Sequence, residues 1–96
     1  MYEKEFERYL EFERRYSKHT LTAYKHEVRL FLEFVEMESL SFLDVDHRTM
    51  RYYFATMTEA KKSATSVNRS ISALRTYFKF LQREGVVKAS PIQVKA

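Results

Sequence analysis

Apolar residues recur at steps of three and four in separate runs along the chain, each run marking one face of a helix. The most regular run is Ala64, Val67, Ile71, Leu74, Phe78 and Leu81. Before it, Leu21, Tyr24, Val28, Phe31 and Val35 repeat in the same way, and Leu32 and Phe34 widen their stripe into that of a central helix. Met50, Tyr53, Phe54 and Met57 define a shorter helix, and Tyr2, Phe6, Tyr9 and Leu10 a first one, with Phe12 and Tyr16 at its edge. The pattern therefore predicts four helices. The first runs from about Tyr2 to Arg15, and the second starts at Ser17 or at His19–Thr20. The third runs from His47 to about Ala60, and the fourth from Ser63 or Thr65 to Glu84. Their ends carry local signals: Ser17 and Asp46 are N-cap residues, and Val45 and Met50 have the spacing of a hydrophobic staple. Gly85 stands at C′ of the last helix, where Val86 and Val87 can fold back on the final turn. Glu38 to Val45 reads as a connection with Leu40, Phe42 and Leu43 tucked inward. The predicted class is all-α, a small four-helix bundle.

Composition agrees and narrows the setting. Ninety-six residues make one domain, and eight Phe and seven Tyr supply its core. One Gly and one Pro leave too little turn chemistry for an all-β fold. The absence of Cys removes disulfide and thiolate chemistry and makes a reducing cytoplasm the plain expectation. No apolar run has the length of a membrane span, and the charged N-terminus is unlike a signal peptide.

Charge is the feature that points to a partner. Residues 1–59 hold nine Lys/Arg and twelve Asp/Glu, a net of −3, whereas residues 60–96 hold eight Lys/Arg and one acid, a net of +7. From Lys61 to Arg83 there is no acid at all. The polar side of the fourth helix carries Thr65, Asn68, Arg69, Ser72, Arg75, Thr76, Lys79 and Arg83. Cations separated by small polar side chains can lie close against a polyanion, and nucleic acid is the expected one. The second helix changes sign along its length, with Lys18, Lys25 and Arg29 early and Glu33, Glu36 and Glu38 late. Acids at that end oppose the helix dipole, so helix stability does not explain them.

Two segments resemble a known family. Tyr16 to Val35, YSKHTLTAYKHEVRLFLEFV, is similar to the S-x-x-T-x-x-x-Y-x-x-D-L-x-x-F-x-x-F pattern of tyrosine recombinases of the XerC/XerD and phage-integrase type. Ser17, Thr20, Tyr24, Phe31 and Phe34 fall on its fixed positions. Ser63 to Pro91 resembles that family's second N-terminal signature through Arg69, Ser72, Ala73, Leu74, Arg75, Phe78, Gly85 and Pro91. Glu27, Val28, Ile71 and Ser90 depart mildly from the pattern. The resemblance implies a SAM-like integrase N-terminal fold, with a core-binding domain at 1–87 and an interdomain linker opening at 88–96. It also implies that the catalytic domain is absent. The family clamps double-stranded DNA between two domains, with the second and fourth helices of the N-terminal bundle crossing the major groove. The implied role is to bind one face of a recombination half-site, with chromosome-dimer resolution the expected setting. Other recombinase protomers in a synaptic tetramer are implied partners, reached through the first helix and its neighbours.

The candidate contacts follow. On the fourth helix, Arg69 and Arg75 suit phosphates or guanine edges, and Lys62, Ser63, Thr65, Ser66 and Asn68 lie where helix N–H groups favour a phosphate. Ser72, Thr76 and Lys79 continue that side. Lys18, His19, Thr20, Lys25 and Arg29 are the corresponding set on the second helix, although Thr20 can serve as a cap and Arg69 can bridge to Glu27. Catalysis by the chain alone is not expected. Tyr2, Tyr9, Tyr24, Tyr53 and Tyr77 sit on or beside apolar stripes, so their expected role is structural. His19 and His26 lie about 10 Å apart along a helix, too far to share one metal. No cofactor, metal, membrane or small-molecule ligand is expected. The alternative from another class is a helical protein–protein interaction module whose basic face meets an acidic partner.

Overall fold

The computed structural model describes residues 2–41 and 44–92. Phe42 and Leu43, expected to point inward, lie outside that set. Among the described residues there are four helices and no strand: α1 (Glu3–Arg8), α2 (Lys18–Met37), α3 (His47–Glu59) and α4 (Ala64–Arg83). The all-α architecture is the one the periodicity predicts. No helix among these residues is long and apolar enough to cross a membrane.

Helix boundaries are set by side-chain chemistry at the starts and by backbone turns at the ends. Ser17, Asp46 and Ser63 each accept the backbone N–H three residues on, capping α2, α3 and α4. Each of the three helices closes in a Schellman turn. In α4, Gly85 N–H donates to Gln82 O and Val86 N–H to Leu81 O, with Gly85 at φ +77°. α2 and α3 make the same paired bonds through Ser39 and Lys61, which adopt φ near +56° and +59° without being glycine. The first helix departs from expectation. After Arg8 it widens into a π-helical turn, Tyr9–Glu13, closed by Arg14 N–H donating to Tyr9 O, and it ends before Arg15.

The core is aromatic. Phe31 of α2 packs edge-on against Phe78 of α4 (5.8 Å) and Tyr53 of α3 (5.2 Å), while Phe6 of α1 meets Tyr77 at 5.0 Å. α4 is the pillar: α2 and α3 both pack against it, and Phe6 of α1 meets its Tyr77 and Phe80 rings. Its buried surface is accordingly wider than the expected stripe, since Ser70, Ala73, Tyr77 and Phe80 are buried beside Ile71, Leu74, Phe78 and Leu81. Ala64, expected on that stripe, is exposed. Burial holds the Tyr77 phenol far above its ordinary range, which fits its structural role.

The α2–α3–α4 seam also contains polar groups that periodicity did not place there. Glu27 is only 8% exposed and Ser70 is fully buried. Neither Glu27 Oε1 nor Ser70 Oγ has a hydrogen-bond partner among the described residues. Burial, and then the Glu27 charge, push the Tyr53 phenol up to about 12. The Ser70 hydroxyl acts in the opposite direction.

A clasp joins the two ends of the chain. The Arg83 guanidinium donates two bonds of 2.9 Å to the Glu13 carboxylate and lies 4.8 Å from the centre of the Tyr9 ring. Those hydrogen bonds, with the charge behind them, hold the Glu13 carboxyl below the ordinary 4.5. A depressed carboxylate contributes its stability above the unfolded value and loses it as pH falls through the folded one. The clasp is therefore expected to open only below pH 4.5. NMR titration should show the Glu13 carboxyl carbon and the Arg83 Nη groups that bond it changing together in that window. In Arg83→Gln, Glu13 should return to ordinary behaviour.

Candidate nucleic-acid interface

On α4, the positions left outside the packing run around one side in the order Arg75, Asn68, Lys79, Ser72, Thr65, Thr76 and Arg69. At about 100° per residue they span an arc of about 120°. Thr65, Asn68, Arg69 and Lys79 are exposed, whereas Ser72, Arg75 and Thr76 are half-buried at the margins. Arg69 and Lys79 are ten residues apart, about 15 Å along the axis. Neither enters an ion pair among the described residues, so the bridge from Arg69 to Glu27 considered from the sequence is not formed. Lys62 is exposed in the turn before the helix, where its N–H is bonded to Met57 O.

Several hydroxyls of the candidate set are already engaged. Ser63 Oγ accepts Ser66 N–H at 3.1 Å and donates to Ser66 Oγ, which makes both residues the cap of α4. Thr76 Oγ1 donates to Ser72 O, which ties that hydroxyl to its own helix. Ser63→Ala is expected to cost about 0.5–2 kcal/mol of stability through the lost cap. Its affinity for a duplex should stay near the parent's once both are folded, as thermal melts and matched binding curves would show.

The α2 set is placed differently. Lys18 and His19 are exposed in the first turn, and Thr20 is half-buried with its N–H on Ser17 Oγ. Lys25 is bound to Glu7 of α1 at 3.0 Å. Arg29 shares a groove with Glu3, Glu33 and Glu36. The acids of α1 and of the C-terminal half of α2 thus offset much of the positive charge on α2. Arg83, which the sequence put on the basic face of α4, is turned away to Glu13. Long-range pairs of this kind leave no signal in local spacing. The arc that stays electropositive is α4's own, from Lys62 through Arg69 to Lys79.

Comparison with known proteins places this geometry in a family. Residues 4–85 match the family described as "Phage integrase, N-terminal SAM-like domain". The chain belongs to that family. Among its relatives is the tyrosine recombinase XerC of Anoxybacillus flavithermus, 37% identical over 87 residues, which cover 90% of this chain and 29% of the relative. The XerC of Leptospira interrogans is 37% identical over 89 residues, covering 92% of the chain and 29% of the relative. That of Listeria innocua is 39% identical over 95 residues, covering 93% and 30%. The chain spans under a third of the length of these relatives. No solved structure gives a significant match. Membership in the integrase N-terminal SAM-like family agrees with the four-helix fold and with the resemblance carried by the two sequence signatures.

Proposed function

We propose that this chain is a DNA-binding module of a site-specific recombinase and that it lays the polar arc of α4 on the phosphate backbone of a duplex. The observation that carries the reading is the acid-free run from Lys61 to Arg83, whose Arg69 and Lys79 have no ion-pair partner among the described residues. Cations exposed on one rigid helix can neutralise neighbouring phosphates without first breaking bonds inside the protein. The small side chains between them, Thr65, Asn68 and Ser72, let the helix approach closely. Lys18 and His19, at the start of α2, add a lesser contribution. In the full-length recombinase this module covers one face of a half-site, strand cleavage and rejoining fall to another domain, and several protomers assemble on the DNA. Resolution of chromosome dimers is the setting we favour, given the XerC relatives.

Alone, the module should bind duplexes at roughly 10⁻⁴–10⁻⁶ M at physiological salt, the range of non-specific backbone contact. Titrating a duplex into the ¹⁵N-labelled chain tests the placement. The amides of Thr65, Asn68, Arg69, Ser72 and Lys79 should shift first, and those of the acidic face of α1 should stay still. Shifts confined to α1, or none at all at millimolar duplex, would oppose the reading. An acidic polypeptide displacing the DNA at the same amides with higher affinity would favour a protein partner instead.

A further inference from the structure

The chain does not leave the bundle where α4 ends. Gly85, at φ +77°, turns it back, and Val86 N–H donates to Leu81 O at 2.9 Å. The residues that follow form neither helix nor strand as far as Ile92, yet they keep to the bundle surface. Val86 and Val87 pack against the core, and Ile92, only 9% exposed, belongs to it. Two hydrogen bonds shape the path between them. Gln82 Nε2 donates to Lys88 O at 3.2 Å, and Ile92 N–H donates to Ser90 Oγ at 3.2 Å. Lys88 and Ala89 stand exposed between the apolar anchors, so the segment is fastened at both ends and loose in the middle.

The fastening is light. A groove of about 390 Å³ runs between Val45 and Phe78 on the bundle side and Val86, Val87 and Pro91 of the segment. Contact across such a gap forfeits dispersion that a close-packed core supplies. What holds the segment is one buried isoleucine, two half-buried valines and one side-chain bond to α4. Against them stands the conformational entropy of ordering seven residues, a term of similar size. α4, by contrast, is held by eight buried residues. We propose that residues 86–92 are a detachable strap, docked in the resting chain and released when Ile92 leaves its site while the four helices stay folded. Its role, though not its docking, rests on the reading above that a further domain follows in the recombinase. Docked, the strap starts the joint to that domain no earlier than residue 93 and fixes where the chain leaves the bundle. Released, it adds its seven residues to the tether and extends the reach by up to roughly 25 Å, at about 3.3–3.6 Å per residue. The short tether restricts the arrangements open to the two domains, and the long one relaxes that restriction.

NMR on the DNA-free chain tests the strap. In the parent, backbone order parameters across 86–92 should lie near the ~0.85 of rigid backbone. In Ile92→Ser combined with Gln82→Ala they should fall below about 0.6, the flexible range, while the amide shifts of α2 and α4 report a folded bundle. A urea series on the parent then tests release as a local opening. The Ile92 methyl signals should reach their unfolded positions at lower urea than those of Ile71 and Leu74, which are buried in α4. Order parameters already below about 0.6 in the parent would mean that nothing is docked. Unchanged values in the double variant would mean that Ile92 and Gln82 are not the anchors. Global unfolding of the double variant, or Ile92 and Leu74 methyls moving together in urea, would make strap and bundle one unit. Each of these results would overturn the proposal. Because no DNA is present, a failed strap leaves the α4 reading untouched, and a failed duplex titration leaves the docking untouched.

Discussion

Phe78→Ala is expected to destabilise the bundle by about 3–5 kcal/mol, the cost of emptying a fully buried aromatic site. Phe78 is 1% exposed and joins α4 to α2 through Phe31. Ordinary domains hold roughly 0.05–0.15 kcal/mol per residue, so a chain of this size has about 5–15 kcal/mol to lose. The substitution thus removes a large share of the total and should lower the thermal midpoint by more than about 10 °C. Phe12 offers the contrast within the same residue type: it is 66% exposed, and Phe12→Ala should change stability by less than about 0.5 kcal/mol. Equal effects from the two would mean that α2 and α4 do not pack as described.

The second large effect is expected on DNA. Arg69→Ala combined with Lys79→Ala should weaken duplex binding by roughly tenfold on any sequence, since each substitution removes one phosphate-neutralising cation. Both side chains are exposed, so the double variant should unfold at the parental temperature. The informative controls are other cations of similar sequence environment. Lys25→Ala and Arg83→Ala should leave affinity close to the parent's, because Glu7 and Glu13 already hold those side chains. Competition fluorescence anisotropy on one duplex at fixed salt ranks all four. A ranking in which Lys25 or Arg83 matters as much as Arg69 would shift the interface toward α1.

Much of the fold was legible because it is written locally. Three-and-four spacing exposed the four helices, and Ser17, Asp46 and Gly85 declared ends that the structure uses as caps. What stayed hidden depends on distant or unusual partners. The π-helical turn at Tyr9–Glu13 contains one buried residue, Leu10, too few to print a period. Ser39 and Lys61 close helices in a left-handed conformation that their residue types do not advertise. Glu27 reads as a surface charge between Tyr24 and Phe31, yet it is buried, with its charge acting on Tyr53 of α3. At the candidate interface, residue type identified cations but not their availability. Arg83 and Glu13 lie seventy positions apart in sequence and still form a two-bond ion pair, which removes one cation from the expected face.

The salt dependence of duplex affinity, measured by anisotropy on the parent and on the Arg69→Ala, Lys79→Ala variant, bears most directly on the α4 arc. If Lys62, Arg69 and Lys79 each neutralise one phosphate, log K should fall against log salt with a slope of about −2.7, and with about −0.9 in the variant. A parental slope near zero, or the same slope in both proteins, would contradict a backbone contact made by this helix.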